Sequence, residues 1–242
     1  IGHTRWATHG VPNERNAHPH ATEKVAVVHN GIIENFQELR LEMEGFGRQF
    51  ASDTDTEVVA HMIGHYLDEG LDPAQATKKT LGRLQGAFAL GILFKGFDDL
   101  MIAARRGSPL AVGFGEGEMY LGSDALALSP LSERIMYLED GDWAVITPEA
   151  VEVFDANGDR VERPRRRIEI SGDAVGKGGY RHFMLKEIFE QPQVIGDSLS
   201  GFVNPADRTV SMPDFSFDLA AVTKVTLVAC GTSYYAAMVG RY

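Results

Sequence analysis

In this 242-residue chain the residues best suited to chemistry are an asparagine and a glycine that follow a β-forming run. Residues 24–28 feed into His29-Asn30-Gly31, and an apolar pattern of helical spacing comes next. An Asn side-chain amide and a Gly N–H at a strand end can aim at one point, as stabilising an oxyanion requires. Asn-Gly is equally a strong hairpin signal. Arg5, inside Thr4-Arg5-Trp6-Ala7-Thr8-His9-Gly10, offers a planar fork suited to a carboxylate or to a surface ion pair. Asp55, inside Ser52-Asp53-Thr54-Asp55-Thr56-Glu57, offers a carboxylate suited to an ammonium group. Asp53, Thr54 and Asp55 are all equally placed to cap the helix that follows. A carboxylate reader, an ammonium reader and an oxyanion hole together describe a site for an α-amino acid whose side-chain carbonyl is attacked.

Three further groupings invite a chemical reading. His18-Pro19-His20 with His3 or His9 resembles a metal cluster in residue type, but no Cys or carboxylate stands beside it at ligand spacing. Hydrogen bonding within a loop is the expectation there, and no metal or other cofactor is expected. His61 and His65 are spaced as zinc ligands often are, yet a Glu after the first His is lacking, so a partly exposed helix face is expected. Cys230 ends an apolar run and is expected to be a small buried residue with no nucleophilic role.

The elements that must position these residues follow from periodicity. Residues 24–28 read as a strand and 33–45 as a helix; 56–69 is a clearer helix, with Val59, Met62, Ile63, Tyr66 and Leu67 at helical spacing. Asp72-Pro73 starts another over 74–84. Apolar runs at 87–94, 100–104, 110–114, 119–121, 143–147 and 151–155 read as strands, several joined by Gly-containing turns. Helices early and strands later predict an α+β layered sandwich. Beyond Arg163-Pro164-Arg165-Arg166-Arg167, read as a solvated strand end, a glycine-rich stretch marks the end of a first domain near residue 170. A helix is expected over 180–191, stopping before Pro192. An apolar strand over 224–229 is then expected to run into Gly231-Thr232-Ser233 and a new helix, a pattern that presents N–H groups to a phosphate or makes an ordinary turn.

Several segments together resemble one family. His3 to Gly10, Asn16-Ala17-His18-Pro19-His20, Val28 to Asn35, Ser52 to Glu57, Ala104-Arg105-Arg106-Gly107-Ser108-Pro109-Leu110 and Gly122-Ser123-Asp124-Ala125-Leu126-Ala127-Leu128 occur in family order. They resemble the glutamine amidotransferase domain of the isomerizing glutamine–fructose-6-phosphate aminotransferases, which make glucosamine 6-phosphate. Lys186-Glu187-Ile188-Phe189-Glu190-Gln191-Pro192 and Ala229-Cys230-Gly231-Thr232-Ser233 resemble that family's linker and the opening of its sugar-isomerase (SIS) domain. The resemblance implies an N-terminal-nucleophile αββα sandwich, incomplete here, over 1–170, a linker over 171–192, and the first strand and helix of an α/β isomerase domain over 193–242. It implies glutamine held by Arg5, Trp6, Thr8, His9 and Asp55, an oxyanion hole of Asn30 and Gly31, and a sugar-phosphate site at Thr232 and Ser233. Fructose 6-phosphate is the implied second substrate, and a homodimer the implied state of the whole enzyme.

One departure from the family pattern stands out. The family's nucleophile is a cysteine at the mature N-terminus whose own α-amine acts as base, whereas this sequence starts at Ile1 and its single cysteine is Cys230. The nucleophile and first strand are therefore expected upstream, and the chain alone is expected to be unstable and not to hydrolyse glutamine. Two other readings are a nucleophile-free glutamine-binding or interaction module and a purine-pathway amidotransferase; the turn at 230–233 speaks against the latter.

A net charge of −11 argues against a nucleic-acid or anionic-membrane surface. One cysteine rules out a disulfide framework and suits a reducing, cytoplasmic setting. No run reaches the ~18 apolar residues needed to span a bilayer.

Overall fold

The structure, a computed structural model, describes residues 1–167, 176–200, 202–204, 209–210, 217–218 and 221–241. It divides into two compact units, Ile1–Val175 and Gly176–Tyr242. The domain end expected near residue 170, and the opening of the linker at 171–175, lie outside the described residues.

The first unit is built on a seven-stranded antiparallel sheet. In spatial order its strands are β1 (His20–Ala21), β2 (Val25–Ile33), β3 (Gly86–Phe94), β4 (Met101–Arg106), β8 (Trp143–Ile146), β9 (Val151–Phe154) and β10 (Arg160–Val161). A four-stranded sheet runs β11 (Arg165–Arg167), β7 (Arg134–Tyr137), β5 (Ala111–Phe114) and β6 (Met119–Gly122). The helices are α1 (Phe36–Gly45), α2 (Glu57–Asp68), α3 (Pro73–Leu81) and the short α4 (Ala125–Leu128).

Strand alternation assigns the layers. On β3 and β4, Phe88, Leu90, Ile92, Phe94, Ile102 and Ala104 join Leu39, Met43, Val59, Met62, Ile63 and Ala76 of α1–α3 in one core. Ala89 and Ala103 point the other way, into a second core with Val112, Phe114, Met136 and Leu138 of the small sheet. The large sheet thus carries helices on one face and a sheet on the other, and each fully buried aliphatic side chain contributes ~1.5–3 kcal/mol. On the far face of the small sheet, Ala111 and Ile135 are covered by Ala125 and Leu128 of α4. Among the described residues, α4 is all there is of a second helical layer, which fits an incomplete αββα sandwich.

Local chemistry explains several boundaries. Asp72 accepts the Gln75 N–H at 2.8 Å and Pro73 occupies the first helical position, so α3 starts with a capping box. The basic run at 165–167 is the exposed edge strand β11. The strand expected over 24–28 instead runs from Val25 to Ile33, because β3 pairs with it along its whole length. The Asn30-Gly31 pair therefore sits inside a strand, opposite Ala89 and Phe88, and α1 begins only at Phe36.

The second unit differs from expectation twice. Helix α5 (Phe183–Ser200) continues through Pro192 instead of stopping before it. Pro192 forfeits one bond of the ladder, to the carbonyl four residues back, but the flanking residues still complete turns on both sides. Residues 222–230, expected to contain a strand, form neither strand nor helix and are exposed, Val228 at 90%. A strand exists only by pairing, and among the described residues of this unit the one ladder is β12 (Val203–Asn204) with β13 (Thr209–Val210). Helix α6 (Gly231–Gly240) follows, with Cys230 at its N-cap. Cys230 is exposed, not buried as expected, because the run that ends there is itself exposed and joins no ladder among the described residues.

Candidate active site

Three segments meet at the pocket-facing part of β2: the loop of residues 3–10, the 18–20 segment, and the turn of residues 52–56 that leads into α2. They enclose a cleft of about 220 Å³ lined by His3, Arg5, Trp6, Thr8, His18, His29, Asn30, Gly31, Ile32, Asp55 and Thr56. A larger cleft of about 570 Å³, around Leu67 and Phe94, contains none of the residues singled out from the sequence as site residues, so size alone does not mark the site.

The floor is the strand itself. Gly31 has φ +121°, and a Cβ there would lie 2.1 Å from the Ala87 carbonyl oxygen across the sheet. Only glycine allows this close approach. Asn30 is half-buried beside it, its Oδ1 2.5 Å from His3 Nε2. Among the described residues its Nδ2 has no hydrogen-bond partner.

Asp55 is buried, at 2% exposed, and its Oδ2 accepts the Ile33 N–H at 2.8 Å. The capping alternative is not realised: the N-cap of α2 is Thr56, without a side-chain cap bond, and the Asp55 carboxylate turns toward β2. The turn is held from below. Glu57 accepts the N–H groups of Ala51 (2.8 Å) and Ser52 (2.7 Å) and the Ser52 hydroxyl (2.6 Å), while buried Asn16 accepts the Asp53 N–H at 2.9 Å. Burial alone would raise the Glu57 carboxyl. The hydrogen bonds from His61, Ser52 and Ala51 outweigh it and hold the pKa down at about 2.

The loop carries Arg5 in a left-handed backbone conformation, φ +62°. Its Nη2 donates to the His9 carbonyl at 2.7 Å and the Gly10 carbonyl at 3.4 Å, which ties the loop to itself. Among the described residues its buried Nε has no hydrogen-bond partner, so part of the guanidinium fork is unspent. Trp6 stands at the rim, 86% exposed. Thr8 lines the cleft, and His9 lies outside its lining with Nδ1 3.7 Å from Asp55 Oδ1.

Histidines that the sequence grouped without assigning a place form a connected cluster. His18 Nε2 and His29 Nδ1 both meet the buried Thr56 hydroxyl, at 3.1 and 2.9 Å, and His20 Nε2 meets Thr54 Oγ1 at 3.1 Å. His3 and His18 rings lie 4.4 Å apart, and His18 and His20 4.8 Å. Burial, reinforced by the neighbouring imidazoles and Arg5, lowers the His18 pKa to about 3. Burial likewise lowers His29 to about 4, against the opposing pull of Asp55, and lowers His20. His29 is thus uncharged at neutral pH, and its 3.9 Å approach to Asp55 is not an ion pair. Among the described residues no three His, Cys, Asp or Glu side chains sit where they could hold a metal ion.

The one pattern that points to His29 from sequence is alternation: Val25, Val27 and His29 share the buried face of β2. Thr56, His3 and Ile32 had no such signal. Of the residues singled out from sequence, the cleft brings together Arg5, Trp6, Thr8, Asn30, Gly31 and Asp55. Thr232 and Ser233 lie in the second unit, exposed in the first turn of α6.

A family model described as a glutamine amidotransferase domain matches residues 3–130. The glutamine–fructose-6-phosphate aminotransferase [isomerizing] of Zymomonas mobilis is 58% identical over all 242 residues of this chain and 40% of its own length. That of Gluconobacter oxydans is 52% identical with the same coverage. The chain thus spans 40% of the length of these curated relatives. Among solved structures, the glutamine phosphoribosylpyrophosphate amidotransferase from B. subtilis, complexed with ADP and GMP, superposes with a TM-score of 0.50 at 25% identity. That likeness covers 70% of this chain and 34% of the other.

Proposed function

From the premise that the chain belongs to the glutamine amidotransferase domain family and carries the fold of the N-terminal-nucleophile amidotransferases, we propose that the cleft on β2 binds glutamine and supports release of its amide as ammonia. The observation that carries this reading is the convergence of Arg5, Asp55, Asn30 and Gly31 on one cleft. Glutamine lies with its α-carboxylate on the unspent part of the Arg5 fork and its α-ammonium on buried Asp55. Thr8 and His9 support this end, and Trp6 covers it. The side-chain carbonyl then falls toward β2. A cysteine thiol outside these 242 residues gives its proton to its own free α-amine as the sulfur attacks the amide carbon. The carbonyl electrons move onto oxygen, which Asn30 Nδ2 and the Gly31 N–H stabilise. As the tetrahedral adduct collapses, the α-ammonium returns its proton to the leaving nitrogen, so ammonia departs and a thioester remains; water then hydrolyses the thioester to glutamate and restores the thiol.

The whole protein is read as an isomerizing glutamine–fructose-6-phosphate aminotransferase, supported by identity above 50% to two such proteins along the full chain. The purine-pathway reading has only the more distant likeness behind it. In this reading residues 1–170 form the glutaminase domain, 171–192 the linker and 193–242 the start of the isomerase domain. Thr232 and Ser233 then meet the sugar phosphate at the start of α6. The enzyme works in the cytoplasm as a homodimer and needs no cofactor.

The test compares ammonia release by these 242 residues and by the full-length gene product. Activity is expected only from the longer protein, stimulated by fructose 6-phosphate. Asn30→Ala in the longer protein should lower kcat about 10²–10³-fold, the usual loss for one oxyanion donor. Glutaminase activity from the shorter chain, or an unaffected Asn30→Ala enzyme, refutes the assignment.

A further inference from the structure

An asparagine serves an oxyanion hole only if its NH₂ group, rather than its carbonyl, faces the substrate. We infer that His3 sets this orientation and is the positioning residue of the Asn30 amide, an inference that rests on the oxyanion reading above.

The Arg5 N–H donates to His3 Nδ1 at 2.9 Å. A peptide N–H cannot accept a proton, so Nδ1 is the bare nitrogen of the ring and the proton of the neutral imidazole sits on Nε2. Nε2 lies 2.5 Å from the Asn30 side chain and must donate to it, so the atom it meets is the oxygen Oδ1. The amide's sense is thus fixed by the donor it faces. With Oδ1 committed to His3, Nδ2 is the atom left for the cleft that Asn30 lines.

The ring is itself braced. It lies 4.4 Å from the His18 ring, whose Nε2 is 3.1 Å from Thr56 Oγ1, and Thr56 in turn meets His29 Nδ1. His3 is therefore wedged between the glutamine-reading loop and β2. It joins the loop that carries Arg5 to the strand that carries the oxyanion hole. A loop displaced from its place withdraws His3, and the Asn30 amide is then free to flip its oxygen toward the developing negative charge.

The experiment is a double-mutant cycle on the full-length gene product, read as glutamine-dependent ammonia release. His3→Phe keeps a planar aromatic ring, somewhat larger, and removes both hydrogen bonds. It is expected to lower kcat about ten- to a hundredfold while the KM for glutamine moves far less. Combined with Asn30→Ala it should add almost nothing to the Asn30→Ala loss, since both changes remove one device. His3→Gln, whose amide nitrogen reaches as far as Nε2, should recover part of kcat; this variant also decides the matter if the phenylalanine protein does not fold. Losses that multiply across the cycle, a change confined to KM, or no recovery with glutamine overturn the positioning role. Those outcomes leave the oxyanion reading intact provided Asn30→Ala alone is impaired. An unimpaired Asn30→Ala enzyme instead removes the reading underneath, and this inference with it.

Discussion

His18, His20 and His29 are held on the uncharged side of their titration by burial, and this gives the fold a direction of pH sensitivity. Their pKa values lie below the usual 6.5, at about 3 for His18 and about 4 for His29. A group depressed in the folded state contributes its stability in full above the unfolded value and loses it as pH falls toward the folded one. Stability should therefore drop from pH 6.5 down to about 4. For His29 the slope is on the order of 1 kcal/mol per pH unit, and it is smaller for half-buried His18, where solvent screens the charge. Below pH 4.5, Glu57 adds a second loss that runs down to about pH 2. Chemical denaturation of the full-length protein across this range checks the prediction, and His29→Gln should flatten the slope above pH 4. An unchanged midpoint from pH 6.5 to 4 contradicts the buried, neutral cluster. These histidines were partly legible in the sequence. Their types and the 18–20 spacing were visible, but the hydroxyls they meet, Thr54 and Thr56, lie 27 to 38 residues away along the chain.

At the scale of elements, the sequence revealed which segments form helices and strands better than where they end. Hydrophobic spacing located α2 almost to the residue, and Asp72-Pro73 marked the start of α3. It broke β2 too early, because Asn-Gly looks like a turn to any local rule while β3 pairs straight past it. It also passed over β7, four residues between turn signals, which becomes a strand only through β5 and β11. Residues 224–229 differ in the opposite sense, an apolar run that pairs with no strand among the described residues. Gly31 brings these considerations into one measurement. Gly31→Ala places a methyl group against the Ala87 carbonyl and forces a side chain into a positive-φ backbone. The expected cost exceeds ~1 kcal/mol, and glutaminase activity should be lost even where the protein still folds. A Gly31→Ala protein with an unshifted melting temperature and full activity would mean that β2 and β3 are spaced more widely than described.

Across the whole first unit, the two cores divide the labour. One seats three helices on the large sheet and the other joins the sheets, so β2 is gripped by β3 along one edge and by α2 on one face. The layered α+β character was legible in the order of segments. The meeting of residues 5, 30 and 55 was expected from their combined chemistry and the family resemblance, whereas the means of it, strand order and the buried anchors of the 52–56 turn, was not legible. One bond in that arrangement reaches further than its role in folding. Asp55 accepts the N–H of Ile33, three positions along β2 from Asn30. In the proposed reading, the group that takes the amino end of glutamine is thereby tied to the element that receives its carbonyl, and a β-strand is nearly inextensible at ~3.3 Å per residue. The cleft consequently works as a ruler. Asparagine has both charged groups and the amide, yet it is one methylene short of bridging the two marks. Its kcat/KM should trail that of glutamine by at least the 10–200-fold typical of a missing methylene, and comparing the two amides on the full-length enzyme reads the ruler directly.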